Sequence, residues 1–286
     1  MTTIDYEAIA REAGLERVGA RPPLGSYLVS VWRRRAFIYT MARYRLQASV
    51  EENRLGLGWI VLKPILNALL YGFIFAVIMP SDTRPDNFIP FLVAGVFVFE
   101  YFSKALGMGA RAIVGEASLV RSLNFPRMLL PVALITRHAI EMVPMMVVLG
   151  IILVVTGEPI TFWWLMSIPV LVVMTAFNLG VALTVARLTV HVRDISQLIP
   201  LITRLFFYAS GIFYSLELVL ADQPSWMLRL AQLNPVHDFI SLIRGYMVSG
   251  NPVNSFMWTV AIVSAVLMLA FGTWFFWRAE ERYGHD

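Results

Sequence analysis

The sequence predicts an all-α integral membrane protein with six transmembrane helices. Of its 286 residues, 58% are apolar and 15% are charged, whereas soluble domains carry about 25% charged residues. The mean hydropathy is +0.68. Six apolar runs are each long enough for a hydrocarbon core of about 30 Å. The predicted spans are approximately 59–79, 88–110, 128–155, 162–188, 199–220 and 254–277.

Polar segments divide the chain into a tail, a surface helix, a spanning domain and a second tail. We predict an N-terminal tail over residues 1–25 and an amphipathic interface helix over residues 26–54. The six-span domain covers residues 55–277, and residues 278–286 form the C-terminal tail.

The interface helix is predicted from the spacing of its apolar side chains and from the Arg residues between them. Arg34 and Arg45 fall on the opposite side of the helix from the apolar stripe. A basic amphipathic helix of this kind lies in the plane of the lipid headgroups, on the anionic cytoplasmic side. The stripe recurs at steps of three and four residues and comprises Leu28, Val31, Trp32, Ile38, Tyr39, Ala42 and Leu46.

The distribution of basic residues predicts the orientation of the spans. Arg residues occur in the interface helix, in both tails and in the segments after the second and fourth spans. The loops after the first and third spans hold only Arg84 between them. The positive-inside rule therefore places both termini in the cytoplasm.

Residues 222–252 precede the last span and predict two short helices rather than a simple loop. Apolar residues recur at helical spacing on both sides of Asn234-Pro235, which breaks the pattern. Each piece is too short to cross a bilayer, so we predict two re-entrant half-helices on the outer face.

Several ionisable residues fall inside the predicted spans. Glu100 and Lys104 are four residues apart, as are Arg137 and Glu141, with His138 beside them and Arg204 in the fifth run. This spacing lets each pair neutralise itself on one helix face. Two interpretations remain open: a polar pathway or subunit contact, or self-paired structural bridges. His138 alone fits a packed or interfacial residue better than a proton carrier.

Two dense groups of aromatic residues, in the second span and in the fifth run, also allow two interpretations. They are packing and interfacial side chains, or a surface on which sugar rings stack. No phosphate-binding loop, metal-ligand spacing or local catalytic triad occurs in the sequence, and Cys is absent. The basic residues adjoin apolar runs, which does not suggest a nucleic-acid partner. Any work against a gradient must then draw on a partner or an ion gradient.

Four short motifs resemble the membrane subunit of type-2 ABC exporters of lipid-linked polysaccharides, such as O-antigen, teichoic acid, capsule and galactan exporters. They occur in the order of that family, and the resemblance covers residues 26–277. The motifs are the Arg54-Leu55-Gly56-Leu57-Gly58-Trp59 run with Lys63-Pro64, the segment 116–131, Arg193-Asp194-Ile195, and Asn234-Pro235 followed by Ile243-Arg244-Gly245.

The resemblance implies a homodimer in a bacterial cytoplasmic membrane, with two copies of a separate ATPase that binds ATP and Mg. It implies that residues 111–127 form a coupling segment, in which Glu116, Ser118, Leu119, Arg121, Asn124, Phe125 and Arg127 contact that ATPase. It further implies a glycan path between the two copies, lined by the first and fifth spans. The candidate path and gate residues are Arg33, Arg34, Arg35, Trp59, Tyr71, Phe206, Phe207, Tyr208, Phe213 and Tyr214.

On this interpretation the chain is not itself an enzyme, and Arg33, Arg34 and Arg35 attract the lipid pyrophosphate headgroup. Three alternatives remain. The first is a type-2 ABC exporter of drugs or lipids. The second is an ion-driven secondary transporter that uses the charge pairs. The third is a membrane enzyme with acidic residues on an outer loop, for which the candidates are Asp82, Asp86, Asp222 and Asp238.

Overall fold

The computed structural model shows a helical bundle, and the residues that it describes contain no β-strand. The described residues are 22–51, 56, 58–78, 87–122, 125–220 and 223–280. The helices are α1 (Leu24–Arg33), α2 (Arg35–Glu51), α3 (Gly58–Ile78), α4 (Phe88–Gly109), α5 (Ala117–Ser122), α6 (Leu129–Val155), α7 (Ser167–His191), α8 (Ile195–Ala209), α9 (Leu216–Val219), α10 (Ser225–Ala231), α11 (Pro235–Met247) and α12 (Ser255–Trp277). Most of the two predicted tails and the candidates Asp82, Asp86 and Asp222 lie outside the described residues.

Within the described residues, four helical stretches are long and apolar enough to cross a membrane. They contain α4, α6, α7 and α12, and α7 is extended at its start by a 3-10 turn over Phe162–Met166. Apolar helices of shorter described length occur over Gly58–Ile74 in α3 and Ile195–Ala209 in α8. A polytopic helical membrane fold is therefore confirmed, while the count of six spans stays a prediction.

The fifth apolar run does not form one continuous helix, which corrects the sequence prediction. Helix α8 begins earlier than expected, at Ile195, and ends after 15 residues at Ala209. The chain then turns at Gly211, whose φ of 64° lies in the left-handed region that favours glycine. A helix of 15 residues is about 22 Å long, which is less than the hydrocarbon thickness of a bilayer.

The interface helix also differs from the prediction, because it is broken at Arg34 into α1 and α2. The buried face consists of Tyr27, Val31, Ile38 and Ala42. The first three share a hydrophobic cluster with residues at the start of α6 and the end of α12. Trp32 belongs to the predicted apolar stripe but is 70% exposed. One part of the predicted apolar stripe therefore packs inside the protein, and another part remains exposed on its surface.

The two short helices predicted before the last span are observed as α10 and α11. Asn234 caps α11 by accepting a hydrogen bond from the backbone N–H of Val236 at 3.1 Å. Pro235 takes the first helical position, where its missing N–H costs no hydrogen bond. Most of α11 is buried against α4, α7 and α12, so this helix belongs to the core of the bundle.

Helix α4 is the central element, since it packs on α3, α6, α7, α8 and α11. Around it, α7 and α12 approach each other closely where Gly180 faces Gly272. A Cβ atom on either glycine would collide with the backbone of the opposite helix. Small residues at such a crossing let two membrane helices gain close van der Waals contact.

A buried arginine joins α11 to the rest of the core. The Arg244 guanidinium donates hydrogen bonds to the carbonyls of Phe91 (2.9 Å), Gly211 (2.8 Å) and Ile212 (2.8 Å). Its Cζ lies 3.3 Å from the centroid of the Phe91 ring. Gly95 leaves room for the group, because a Cβ there would collide with Nη2. Arg244 therefore holds together α4, α11 and the turn after α8.

Candidate functional site

A charged cavity of about 490 Å³ lies between α3, α4 and α6, beside the end of α2. Ionisable side chains from three helices converge on it. Its polar and aromatic lining comprises Ser49, Trp59, Lys63, Glu100, Lys104, Arg137, His138 and Glu141. The structure thus brings together four of the five predicted intramembrane charges, namely Glu100, Lys104, Arg137 and Glu141.

Glu141 is the centre of this cluster. Its Oε1 lies 2.7 Å from Arg137 Nε, and its Oε2 lies 3.4 Å from Lys104 Nζ and 3.2 Å from His138 Nδ1. The Glu141 side chain is 4% exposed, while those of Lys104 and Arg137 are 22% and 17% exposed. One buried carboxylate therefore balances basic groups that reach toward the cavity.

The predicted pairing within each helix is only half right. Arg137 and Glu141 pair across one turn of α6 as the spacing suggests. Lys104, however, forms its salt bridge with Glu141 on the neighbouring helix instead of with Glu100. Among the described residues, no salt bridge involves Glu100. Sequence spacing could not predict this, because it says nothing about which helices become neighbours.

The signal that could have indicated this cavity is the use of lysine. Lys63 and Lys104 are the two lysines of the chain, and both line the charged cavity, while all other cationic side chains are Arg. Lys63 Nζ also lies 6.0 Å from the centroid of the Trp59 ring, within range of a cation–π contact. His138 Nε2 is buried and has no hydrogen-bond partner among the described residues.

An aromatic groove of about 410 Å³ lies on the other side of Glu100, between α3, α4 and α8. Tyr71, Phe99 and Phe207 line it, with Phe207 in contact with both other rings at centroid distances of 5.0 and 5.1 Å. Arg204, the fifth of the predicted intramembrane charges, lines the same groove and is exposed. Glu100 lines both the charged cavity and the aromatic groove.

The remaining predicted path residues divide into exposed and buried ones. Tyr208 is 54% exposed, whereas Phe213 is 1% exposed and contacts Phe207 at 4.9 Å between centroids. Phe206 packs against Phe102 at 5.2 Å. The Tyr214 hydroxyl donates to the Tyr208 carbonyl at 2.7 Å, which ties the turn to the end of α8. Phe213 therefore packs beneath Phe207 of the aromatic groove and has no exposed ring surface that a sugar could contact.

Arg33, Arg34 and Arg35 are all exposed and surround the break between α1 and α2. Arg35 Cζ lies 5.7 Å from the centroid of the exposed Trp32 ring. Fifteen or so residues separate this cluster from the charged cavity, which adjoins the other end of α2 at Ser49. The two basic features are therefore about 20 Å apart along the helix axis.

The predicted coupling segment forms a 3-10 turn over Val114–Glu116 followed by α5. Its Glu116 Oε1 lies 2.8 Å from Arg45 Nη2 on α2. Burial lowers the pKa of the Arg45 guanidinium, and Glu116 opposes that shift. Ser118 is exposed, Leu119 is half-buried, and the Phe125 ring lies 6.2 Å from that of Phe37. Asn124 and the side chain of Arg121 lie outside the described residues.

Sequence reasoning missed a buried polar network at the far end of the coupling segment. The Tyr27 hydroxyl donates to Glu280 Oε2 at 2.8 Å and accepts from the Met128 backbone N–H at 3.2 Å. The Arg127 backbone N–H donates to Glu280 Oε1 at 2.9 Å. Burial raises the pKa of Glu280, while these hydrogen bonds and the Arg127 charge oppose the rise. The coupling segment is thus attached to the interface helices at both ends.

No group of metal-ligating side chains occurs among the described residues. The described site consists of a charged cavity, an adjacent aromatic groove, and surface helices attached to a polar segment.

Sequence comparison identifies the family. The sequence model of the ABC-2 type transporter family matches residues 36–248, from α2 through α11. The chain belongs to the ABC-2 type transporter family. Both cavities lie within the matched residues. An ABC-2 type transporter of this helical composition is a multi-pass membrane protein, and family membership implies an ATP-binding partner subunit.

The chain is also similar to two proteins named O-antigen export system permease protein RfbA. The one from Myxococcus xanthus is 29% identical over 259 residues, which cover 88% of this ABC-2 chain and 95% of the relative. The one from Klebsiella pneumoniae is 24% identical over 206 residues, which cover 72% of this chain and 77% of the relative. The similarity therefore extends over most of each protein.

Proposed function

We propose that this chain is the transmembrane subunit of an ATP-driven exporter that moves a lipid-linked polysaccharide of the O-antigen type across a bacterial cytoplasmic membrane. The observation that carries the proposal is the full-length similarity to O-antigen export permeases. The aromatic groove beside a charged cavity supports it, since sugar rings stack on aromatic faces and phosphate pairs with cations.

The proposed topology has six spans with both termini in the cytoplasm. Helices α3 and α8 supply the first and fifth spans, and the turn after α8 with α9 completes the fifth crossing. Helices α10 and α11 lie at the outer side. The Arg-rich segments support this orientation by the positive-inside rule.

The exporter is proposed to contain two copies of this chain and two ATPase subunits, which bind ATP and Mg. The face formed by α3 and α8 supports a partner copy, because apolar side chains remain exposed along both helices. Phe73 is 74%, Leu205 66% and Tyr208 54% exposed. A second copy placed there would enclose the two aromatic grooves as a shared path for the glycan.

Coupling to ATP hydrolysis is proposed to act through segment 111–127. The ATPase docks on exposed residues such as Ser118, and its closure moves this segment. Glu116–Arg45 and the Tyr27–Glu280–Arg127 network attach the segment to α1 and α2. The interface helices therefore follow the segment, which opens the cytoplasmic end of the path. Arg33, Arg34 and Arg35 attract the anionic lipid headgroup to this opening.

The test is removal of the gene from its native host, followed by complementation. We expect lipid-linked glycan to accumulate inside the cell and to disappear from the surface, with recovery on complementation. We also expect a soluble ATPase to co-purify with the chain in equal amounts. Unchanged surface glycan together with loss of drug or lipid efflux would favour the alternative, a type-2 ABC exporter of drugs or lipids. Absence of the ATPase would contradict the ATP-driven mechanism.

A further inference from the structure

A second cavity follows the charged cavity along the same three helices. This apolar cavity, of about 480 Å³, is lined by Leu69 and Gly72 of α3, by Leu92 and Val93 of α4, and by Ile152 of α6. Only Pro64 separates Lys63, in the charged cavity, from Ile65, the first α3 residue that lines the apolar cavity. The crevice between α3, α4 and α6 is therefore charged at one end and apolar at the other.

The charged end favours an anion. Lys63, Lys104 and Arg137 bring three positive charges, against two carboxylates from Glu100 and Glu141. The unpartnered Nε2 of His138 adds a buried polar atom that a ligand oxygen can satisfy. Phosphate oxygens form strong charge-assisted hydrogen bonds with such cations.

The choice of lysine points in the same direction. In a chain with 23 Lys and Arg residues in total, the two lysines come from different helices and line one cavity. An ammonium group is a compact point charge on a flexible stem, which can move with a phosphate group, whereas a guanidinium group prefers a fixed planar partner. A fixed structural ion pair would not require this exception.

We propose that this crevice binds the lipid diphosphate end of the exported glycan, with the diphosphate in the charged cavity and the lipid chain in the apolar cavity. The assignment rests on the proposed function, because it locates the anchor of the same substrate. From Lys63 to Gly72, α3 rises about 14 Å, which gives the chain room to lie along it. The first sugar then adjoins Glu100, which also lines the aromatic groove.

The lysines provide a direct experiment on the intact chain in detergent. Amine acetylation is followed by mass spectrometry at Lys63, at Lys104 and at the N-terminal amine, which serves as an internal reference. The probes are inorganic pyrophosphate, geranylgeranyl diphosphate and geranylgeraniol. We expect geranylgeranyl diphosphate to protect both lysines at a concentration at least tenfold lower than pyrophosphate does. Geranylgeraniol, which lacks the diphosphate, gives no protection at that concentration.

Matched variants separate the two cavities. Lys104→Gln weakens protection of Lys63 by both diphosphates at least fivefold. Lys104→Arg, which keeps the charge but not the compact, flexible ammonium group, weakens it less. Leu69→Trp narrows the apolar cavity and reduces geranylgeranyl diphosphate to the affinity of pyrophosphate. Leu70→Trp is the control, because Leu70 is similarly exposed (55%, against 64% for Leu69) but does not line the cavity. A thermal melt of each variant verifies that it is folded.

Each outcome decides the proposal. Equal protection by both diphosphates would show that the site binds free pyrophosphate, and would overturn the assignment of the apolar cavity to the lipid chain. No protection by either would overturn the whole assignment, even if gene deletion blocks glycan export and the proposed function stands. Protection with the expected chain dependence, but without an export defect on deletion, would support the lipid-diphosphate site and refute the function.

Discussion

Two regions of this bundle hold positive charge within the apolar part of the chain, and they differ in how completely that charge is buried and hydrogen-bonded. Arg244 is 2% exposed and donates hydrogen bonds to three backbone carbonyls. Its guanidinium packs closely against Gly95 and the Phe91 ring. In the charged cavity, by contrast, Lys104 and Arg137 share one carboxylate and remain partly exposed. A fully satisfied buried charge stabilises one arrangement of helices, whereas an incompletely balanced charge beside open space can bind a ligand.

The largest effect is expected for Arg244→Met, which tests the structural half of this comparison. The substitution removes the charge-assisted hydrogen bonds that Arg244 donates to three carbonyls, each worth about 1.5–3 kcal/mol. We expect the free energy of unfolding to fall by about 3–5 kcal/mol, measured as loss of thermal stability in detergent. Arg193→Met, at an exposed position, serves as the control. A fall below about 1 kcal/mol would show that Arg244 is not a structural anchor.

Glu141→Gln is expected to lower stability less than Arg244→Met does, and also to change the affinity for an anionic ligand. The cations that lose their carboxylate can still be hydrated in the cavity, so we expect a loss of about 1–3 kcal/mol. Because Glu141 competes with an anionic ligand for the same cations, pyrophosphate should bind several-fold more tightly to the variant. Equilibrium binding of labelled pyrophosphate measures this. Weaker binding would mean that Glu141 positions the cations for the ligand.

Replacement of Arg33, Arg34 and Arg35 by Gln extends the comparison to fully exposed charges. These side chains are solvated, so we expect stability to change by less than about 0.5 kcal/mol. Export of glycan should fall several-fold, and more steeply at low ionic strength than at high. Replacement of the exposed Arg229 and Arg193 by Gln, which removes two charges instead of three, provides a control at other surface positions. Unchanged export in the triple variant would remove the headgroup role of this cluster.

The smallest energetic effect is expected at the ion pair between Arg45 and Glu116. The pair is only partly buried, with 19% and 36% of the side chains exposed. A double-mutant cycle with Arg45→Gln and Glu116→Gln should give a coupling of about 0.5–1 kcal/mol in stability. If the pair connects the coupling segment to α2, ATP-dependent export should fall more than stability does. Equal retention of export and stability would leave the pair without a role in coupling.

Most of the helices could be predicted from the sequence, because apolar period and backbone chemistry act over a few residues. The breaks at Arg34 and Gly211 could not. Asn234-Pro235 separates α10 from α11 because a cap and a proline at the first helical position specify a start wherever they occur. The Arg137–Glu141 pair was predictable for the same reason, as both residues lie on one helix. Family membership likewise followed from short motifs in their order.

Which helices become neighbours depends on the packing of the whole bundle, and the cavities depend on those neighbours. Lys104 crosses to Glu141 because α4 packs on α6, and Lys63 joins them because α3 closes the same crevice. The sequence predicts Arg244 on a short re-entrant helix at the outer face, but not that α11 places its guanidinium among carbonyls from two other segments. Local patterns specify which side chains lie on one face of a helix. The charge balance of a cavity depends on side chains from several helices, so it is set only when those helices pack together.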